Sequence, residues 1–106
     1  GANQFKKALE KVSIAAPRFP VISNVTAQPV AEPSEIREML VRQIVSPVLW
    51  EPSMQWFAQR GITLACEFPP SRALTALLRR ITTTVKGIAI DEPADFEKIT
   101  VPVTPQ

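Results

Sequence analysis

Eleven prolines in 106 residues limit what this chain can fold into. That is about twice the usual share. Each proline fixes φ and removes a backbone donor, so no helix interior or central strand runs through one undisturbed. They fall mainly between segments of regular hydrophobic spacing, and so they punctuate a fold rather than announce disorder. The segments they leave are short, and each can be read on its own.

Residues 3–12 read as a helix, with Phe5, Ala8, Leu9 and Val12 at helical spacing and Lys6, Lys7, Glu10 and Lys11 on the other side. Pro17 and Pro20 forbid its continuation. Residues 20–25, rich in β-branched side chains, are expected to be extended, and residues 26–33 to form a loop. Ser34 is the expected N-cap of a second helix, with Glu35 and Glu38 in its first turns and Ile36, Leu40 and Ile44 as its apolar stripe. Ser46-Pro47 interrupts it. A third helix is expected over residues 52–60, with Trp50, Met54, Phe57 and Ala58 facing inward and Gly61 as its stop.

Residues 62–68 read as a strand ended by Pro69-Pro70. Ser71 then caps a fourth helix whose inward face is Leu74, Leu77, Leu78 and Ile81. Arg79 and Arg80 fall near its C-terminal end, where cations offset the dipole. A second strand over 86–90, a short helix over 94–98 and an extended tail complete the chain. Strand, helix, strand at this spacing is a βαβ unit with a parallel pair, so the expected fold class is α/β. Two or three strands do not make a covered α/β core, and the chain reads as part of something larger.

The chemistry is restricted by two counts, no histidine and one cysteine. No Ser-His or Cys-His couple, no His/Cys zinc site and no internal disulfide can be built from this chain. Twelve Lys or Arg against ten Asp or Glu is too even a balance for a nucleic-acid footprint. The basic groups Lys6-Lys7 with Lys11, and Arg79-Arg80, read as solvated helix faces. The longest apolar run falls far short of the roughly 20 residues that cross a bilayer. No signal-peptide pattern precedes Gly1, which stands where an initiator Met is absent. Three scattered glycines exclude a phosphate-binding loop.

Among single residues, Cys66 reads as a small buried hydrophobe, because no base is available to activate it. Glu67, at the carboxyl end of its strand, reads as a carboxylate that orders the following turn. Ser71 reads as a cap and not as a nucleophile, since the turn of a nucleophile elbow requires glycines. Trp50 and Trp56, six apart, do not share a helix face. Asp91, Glu92 and Asp95 supply no defined cage for a cation. Gln43 stays open between two readings. It is either an ordinary surface glutamine or, beside the apolar face of its helix, an amide whose oxygen orients a catalytic ring.

Three stretches together, Leu40-Val41-Arg42-Gln43, Ser46-Pro47-Val48-x-Trp50 and Glu67 through Ala73-Leu74-Thr75-x-Leu77-x-x-Arg80-Ile81, resemble the C-terminal third of malonyl-CoA:acyl carrier protein transacylase. Pro20-Val21-x-Ser23-Asn24-Val25 and Asp91-Glu92-Pro93 fit the same region in the same order, so the resemblance runs to about Ile99. It implies that residues 1–99 are the incomplete C-terminal part of an α/β-hydrolase-like acyltransferase large subdomain, with helices packed on a short parallel strand pair and 100–106 an extended tail.

The resemblance further implies ping-pong transfer of a malonyl group from coenzyme A to the phosphopantetheine thiol of acyl carrier protein. An elbow serine and a histidine base would both lie upstream, the histidine only a few positions before Gly1. Gln43 matches the glutamine that orients that histidine and is the one catalytic-site residue that carries over. No cofactor-binding or metal residue is implied, and no resident cofactor, the coenzyme A thioester being substrate. The implied partners are the remainder of the parent enzyme and acyl carrier protein, with no nucleic acid and no membrane. The implied location is the cytoplasm, or an organellar matrix in a eukaryote, and the implied pathway is fatty acid biosynthesis.

One departure is visible. Where the family carries Gly-Pro-Gly and then a lysine or arginine, this chain has Pro69-Pro70-Ser71 and Arg72. Acyltransferase modules of polyketide synthases share the fold. Two non-catalytic readings stand beside the acyltransferase, namely an α/β interaction domain that uses an exposed apolar strand edge, and a diverged remnant that binds acyl carrier protein without transfer.

Overall fold

The computed structural model describes residues 1–70 and 72–99. The chain divides into two compact units, Gly1–Trp56 and Phe57–Gln106.

In the first unit, α1 (Ala2–Glu10) and α2 (Pro33–Arg42) pack on each other. Between them in sequence lies a hairpin of two very short strands, β1 (Val21–Ile22) and β2 (Pro29–Val30), paired antiparallel with Val21 opposite Val30. The expected loop over 26–33 therefore contains a strand. Proline is tolerated there because two-residue strands are all edge, and Pro29 needs no inward donor. The turn closes on itself. Ser23 accepts from Ala27 N–H at 2.9 Å through its carbonyl and from Val25 N–H at 3.1 Å through its hydroxyl. Ala27 sits buried at φ 56°, a left-handed backbone that this tight closure imposes.

The N-cap of α2 is Glu32, with Pro33 in the first helical position, so Ser34 lies inside the helix and is not its cap. Proline's preset φ suits that place, where its missing N–H costs nothing. The helix ends before Ser46-Pro47. Its last turn tightens as Ile44 and Val45 N–H bond to the Val41 and Arg42 carbonyls, and the Ser46 hydroxyl donates to the Arg42 carbonyl at 2.6 Å.

Helix α3 (Trp50–Gln59) starts two residues earlier than its proline suggested, since Pro52 is admitted within the first turn. Its end is the expected one. Gly61 takes φ 77°, Gly61 N–H bonds to the Ala58 carbonyl, and Ile62 N–H reaches back to Phe57. That pair of bonds is the glycine-terminated Schellman closure.

The second unit holds β3 (Leu64–Glu67), α4 (Ala73–Ile81), β4 (Lys86–Ala89) and a 3₁₀ helix (Pro93–Lys98). The strands β3 and β4 run parallel with Ala65 opposite Gly87, so the expected βαβ unit forms. Helix α4 lies close on β4, because Gly87 has no side chain. A Cβ there would meet Thr75 Cγ2 at 3.0 Å and Leu78 Cδ2 at 3.2 Å. Leu78, Val85, Ile88 and Ile90 are the buried apolar residues of this unit, and Leu9, Ala27, Val30 and Met54 those of the first. The architecture is α/β, with helices and one short parallel pair. No helix among the described residues is long and apolar enough to cross a membrane.

Candidate functional site

Gln43 stands at the C-cap of α2, where its backbone N–H closes the helix on the Met39 carbonyl at 3.0 Å. Its side chain is exposed and makes no hydrogen bond among the described residues. The amide therefore projects from the helix end with both its donor and its acceptor uncommitted, although the apolar spacing of the helix suggested a place beside the core. The helix that carries it is fixed to α1 by an arginine. The half-buried Arg37 guanidinium donates through Nη1 to the carbonyls of Leu9 and, at 2.9 Å, Val12. These carbonyls lie at and just past the C-terminal end of α1, where a cation is favoured. Nothing in the sequence separates Arg37 from its neighbour Arg42, because its partners lie 28 and 25 residues away.

In the second unit, Glu67 has the ordering role expected of it. One carboxylate oxygen accepts from Leu74 N–H at 3.1 Å. The other accepts from Thr75 N–H at 2.9 Å and the Thr75 hydroxyl at 2.7 Å. Partial desolvation pushes the Glu67 carboxyl up, but the hydrogen bonds from the Thr75 hydroxyl and from the Thr75 and Leu74 amides outweigh it and hold the group below its usual range. The carboxylate thus caps α4 from the end of β3. The N-cap position belongs to Arg72, and Ser71 lies outside the described residues.

Cys66 is exposed, not buried. Strand alternation puts it on the face opposite Glu67, away from the helix that covers the pair. A short amphipathic strand has no sequence signal for which of its faces a helix will cover.

The acidic group at the end of β4 is already committed. Asp91 Oδ2 accepts from Arg72 Nε at 3.0 Å and Nη2 at 2.5 Å. Asp95 Oδ2 accepts from the Asp91 and Glu92 amides, while Oδ1 pairs with Lys98 at 2.7 Å. The Lys98 ammonium first, and then those two amides, lower the Asp95 carboxyl to about 2. Among the described residues no group of His, Cys, Asp and Glu could hold a metal ion. This arrangement positions and caps, and it contains neither a nucleophile with a base nor a base alone.

No family model matches the chain. It is 36% identical over 93 residues, 88% of its length, to the malonyl CoA-acyl carrier protein transacylase of Salmonella typhimurium, of which it covers 30%. The structure is similar to the acyl-carrier-protein-S-malonyltransferase of Bartonella henselae, with TM-score 0.85 and 32% identity over 92% of this chain and 31% of that one. It is likewise similar to a malonyl-transacylase solved in complex with a type II polyketide acyl-carrier protein, with TM-score 0.83 and 31% identity over 92% of this chain and 31% of that one. The chain spans about 30% of the length of the relatives it matches.

Proposed function

We propose, from the homology of this chain to the malonyl CoA-acyl carrier protein transacylases, that residues 1–99 are the C-terminal part of an acyltransferase large subdomain, followed by a tail over 100–106. The agreement with those enzymes in sequence and in fold together, over nearly the whole chain, carries the reading. The parent enzyme moves a malonyl group from coenzyme A to the phosphopantetheine thiol of acyl carrier protein. A serine oxygen attacks the thioester carbonyl, a histidine takes the serine proton, and the coenzyme A thiol leaves with that proton. The carrier thiol then attacks the malonyl-serine ester and restores the serine.

This chain has no histidine and supplies neither group. Its contribution is Gln43, whose amide oxygen accepts the imidazole N–H and so selects the tautomer that leaves the other ring nitrogen free to act as base. An exposed, uncommitted amide at a helix end supports that role. Coenzyme A thioester is substrate and not resident cofactor, acyl carrier protein is the partner, and the location is the cytoplasm or an organellar matrix.

Malonyl transfer is expected from a polypeptide that joins this chain to the serine- and histidine-bearing segment, and not from residues 1–106 alone. In the joined enzyme Gln43→Ala lowers kcat on the order of 10²-fold, the loss that follows from a misplaced catalytic group, with KM for malonyl-CoA little changed. An unchanged kcat removes the orienting role. Binding of acyl carrier protein without transfer favours the diverged, non-catalytic remnant, and transfer by residues 1–106 alone overturns the reading.

A further inference from the structure

We propose that the cleft between α4 and β4 binds a small organic phosphate, a ligand with one compact dianionic end and an apolar body. The cleft encloses about 450 Å³, within the range of small-ligand sites. Four cations line it from four different places in the chain. Arg72 stands at the start of α4, Arg79 in its last turn, Lys86 at the start of β4 and Lys98 at the end of the 3₁₀ helix. No carboxylate lines it.

Two of the four cations are already compensated from outside the lining, Arg72 by Asp91 and Lys98 by Asp95. These ion pairs hold the two side chains in place before any ligand arrives. Arg79 and Lys86 have no ion-pair partner among the described residues, so two positive charges face each other across the cleft uncompensated. A phosphate monoester, close to dianionic at neutral pH, matches that charge, and its oxygens take charge-assisted hydrogen bonds from both side chains. The Thr75 hydroxyl, also in the lining, is held by Glu67 and leaves an oxygen lone pair only, so it adds shape and not a donor. The apolar body of the ligand would lie on Ala76 and Ile88.

Concavity argues for a small ligand over a flat acidic protein surface, which would meet the exposed ridge of α4 and not the interior of the cleft. The proposal stands apart from acyl transfer, and its test does not read that activity. The full chain, ¹⁵N-labelled, is titrated with phenyl phosphate and with inorganic phosphate while amide shifts are followed. Saturating shifts are expected at Thr75, Ala76, Gly87 and Ile88, with phenyl phosphate binding more tightly than inorganic phosphate.

Arg79→Gln with Lys86→Gln is expected to weaken binding about tenfold or more. Arg80→Gln, an equal loss of charge outside the lining, is expected to leave binding unchanged. Lys86→Gln alone serves if the double variant does not fold. The proposal is overturned by non-saturating shifts, by equal weakening from Arg80→Gln, or by an acidic protein moving these amides when neither phosphate does.

Discussion

Asp95 illustrates what a single carboxylate organises in this chain. It joins the end of β4 to the 3₁₀ helix through two amides and Lys98, and its pKa lies at about 2 in the folded protein. A free aspartate titrates near ~3.9. The unfolded chain therefore takes up this proton at a higher pH than the folded one. The stability that ionised Asp95 contributes is complete above its unfolded pKa and is lost as pH falls through about 2. Asp95→Asn is expected to lower the denaturation midpoint by a constant amount between pH 7 and 5, measured by urea unfolding, and the gap to the parent chain should close toward pH 2. A gap that persists to pH 2 would show that the ionised form is not what stabilises.

Glu67 obeys the same sign, its lowered pKa making the cap of α4 an asset that acid removes. The sequence foretold the Glu67 cap because the residue stands one short turn before a helix. The pairing of Arg37 with the α1 carbonyls was hidden, because nothing in a linear pattern marks which of several arginines will reach a helix end 25 or more residues away.

Elements were legible where a local signal sufficed. Helices α1 and α4 and the parallel strands follow from hydrophobic spacing, and the end of α3 follows from one glycine. Because Gly61 holds φ 77° with open space where a Cβ would go, Gly61→Ala tests backbone strain without steric overlap. The expected loss is about 1 kcal/mol in urea unfolding. A neutral effect would mean that the turn relaxes at no cost.

Starts of elements were read less well. Ser34 resembled a cap, but Pro33 took the first helical position and moved the boundary upstream to Glu32. Pro52 suggested a helix start, yet a proline is tolerated anywhere in a first turn, so α3 begins at Trp50. The β1–β2 pair is two residues long, too short for alternation to show.

At the scale of the whole molecule the core is thin. No large side chain is fully buried, while Phe19, Val45, Val48 and Phe68 are each more than half exposed. Each unit depends on a handful of apolar residues. Leu78, 2% exposed, anchors the second of them. Leu78→Ala is expected to cost about 2–5 kcal/mol by the usual cavity arithmetic. Hydrogen exchange should then show protection lost from β3, α4 and β4 while the amides of α1 and α2 keep theirs. Equal loss in both sets would mean that the two units unfold together.

The sequence by itself determined the class of fold, the order of its main helices and the parallel pair, the absence of a histidine base, and the segment of the transacylases that the chain resembles. Those follow from local spacing and composition, which a linear pattern carries. Only the tertiary structure decided that Cys66 faces solvent, that Arg37 ties α1 to α2, that Gln43 projects free from a helix end, and that four separated cations converge on one cleft. Each of these depends on which surfaces meet across long separations in sequence, and spacing along the chain does not encode that.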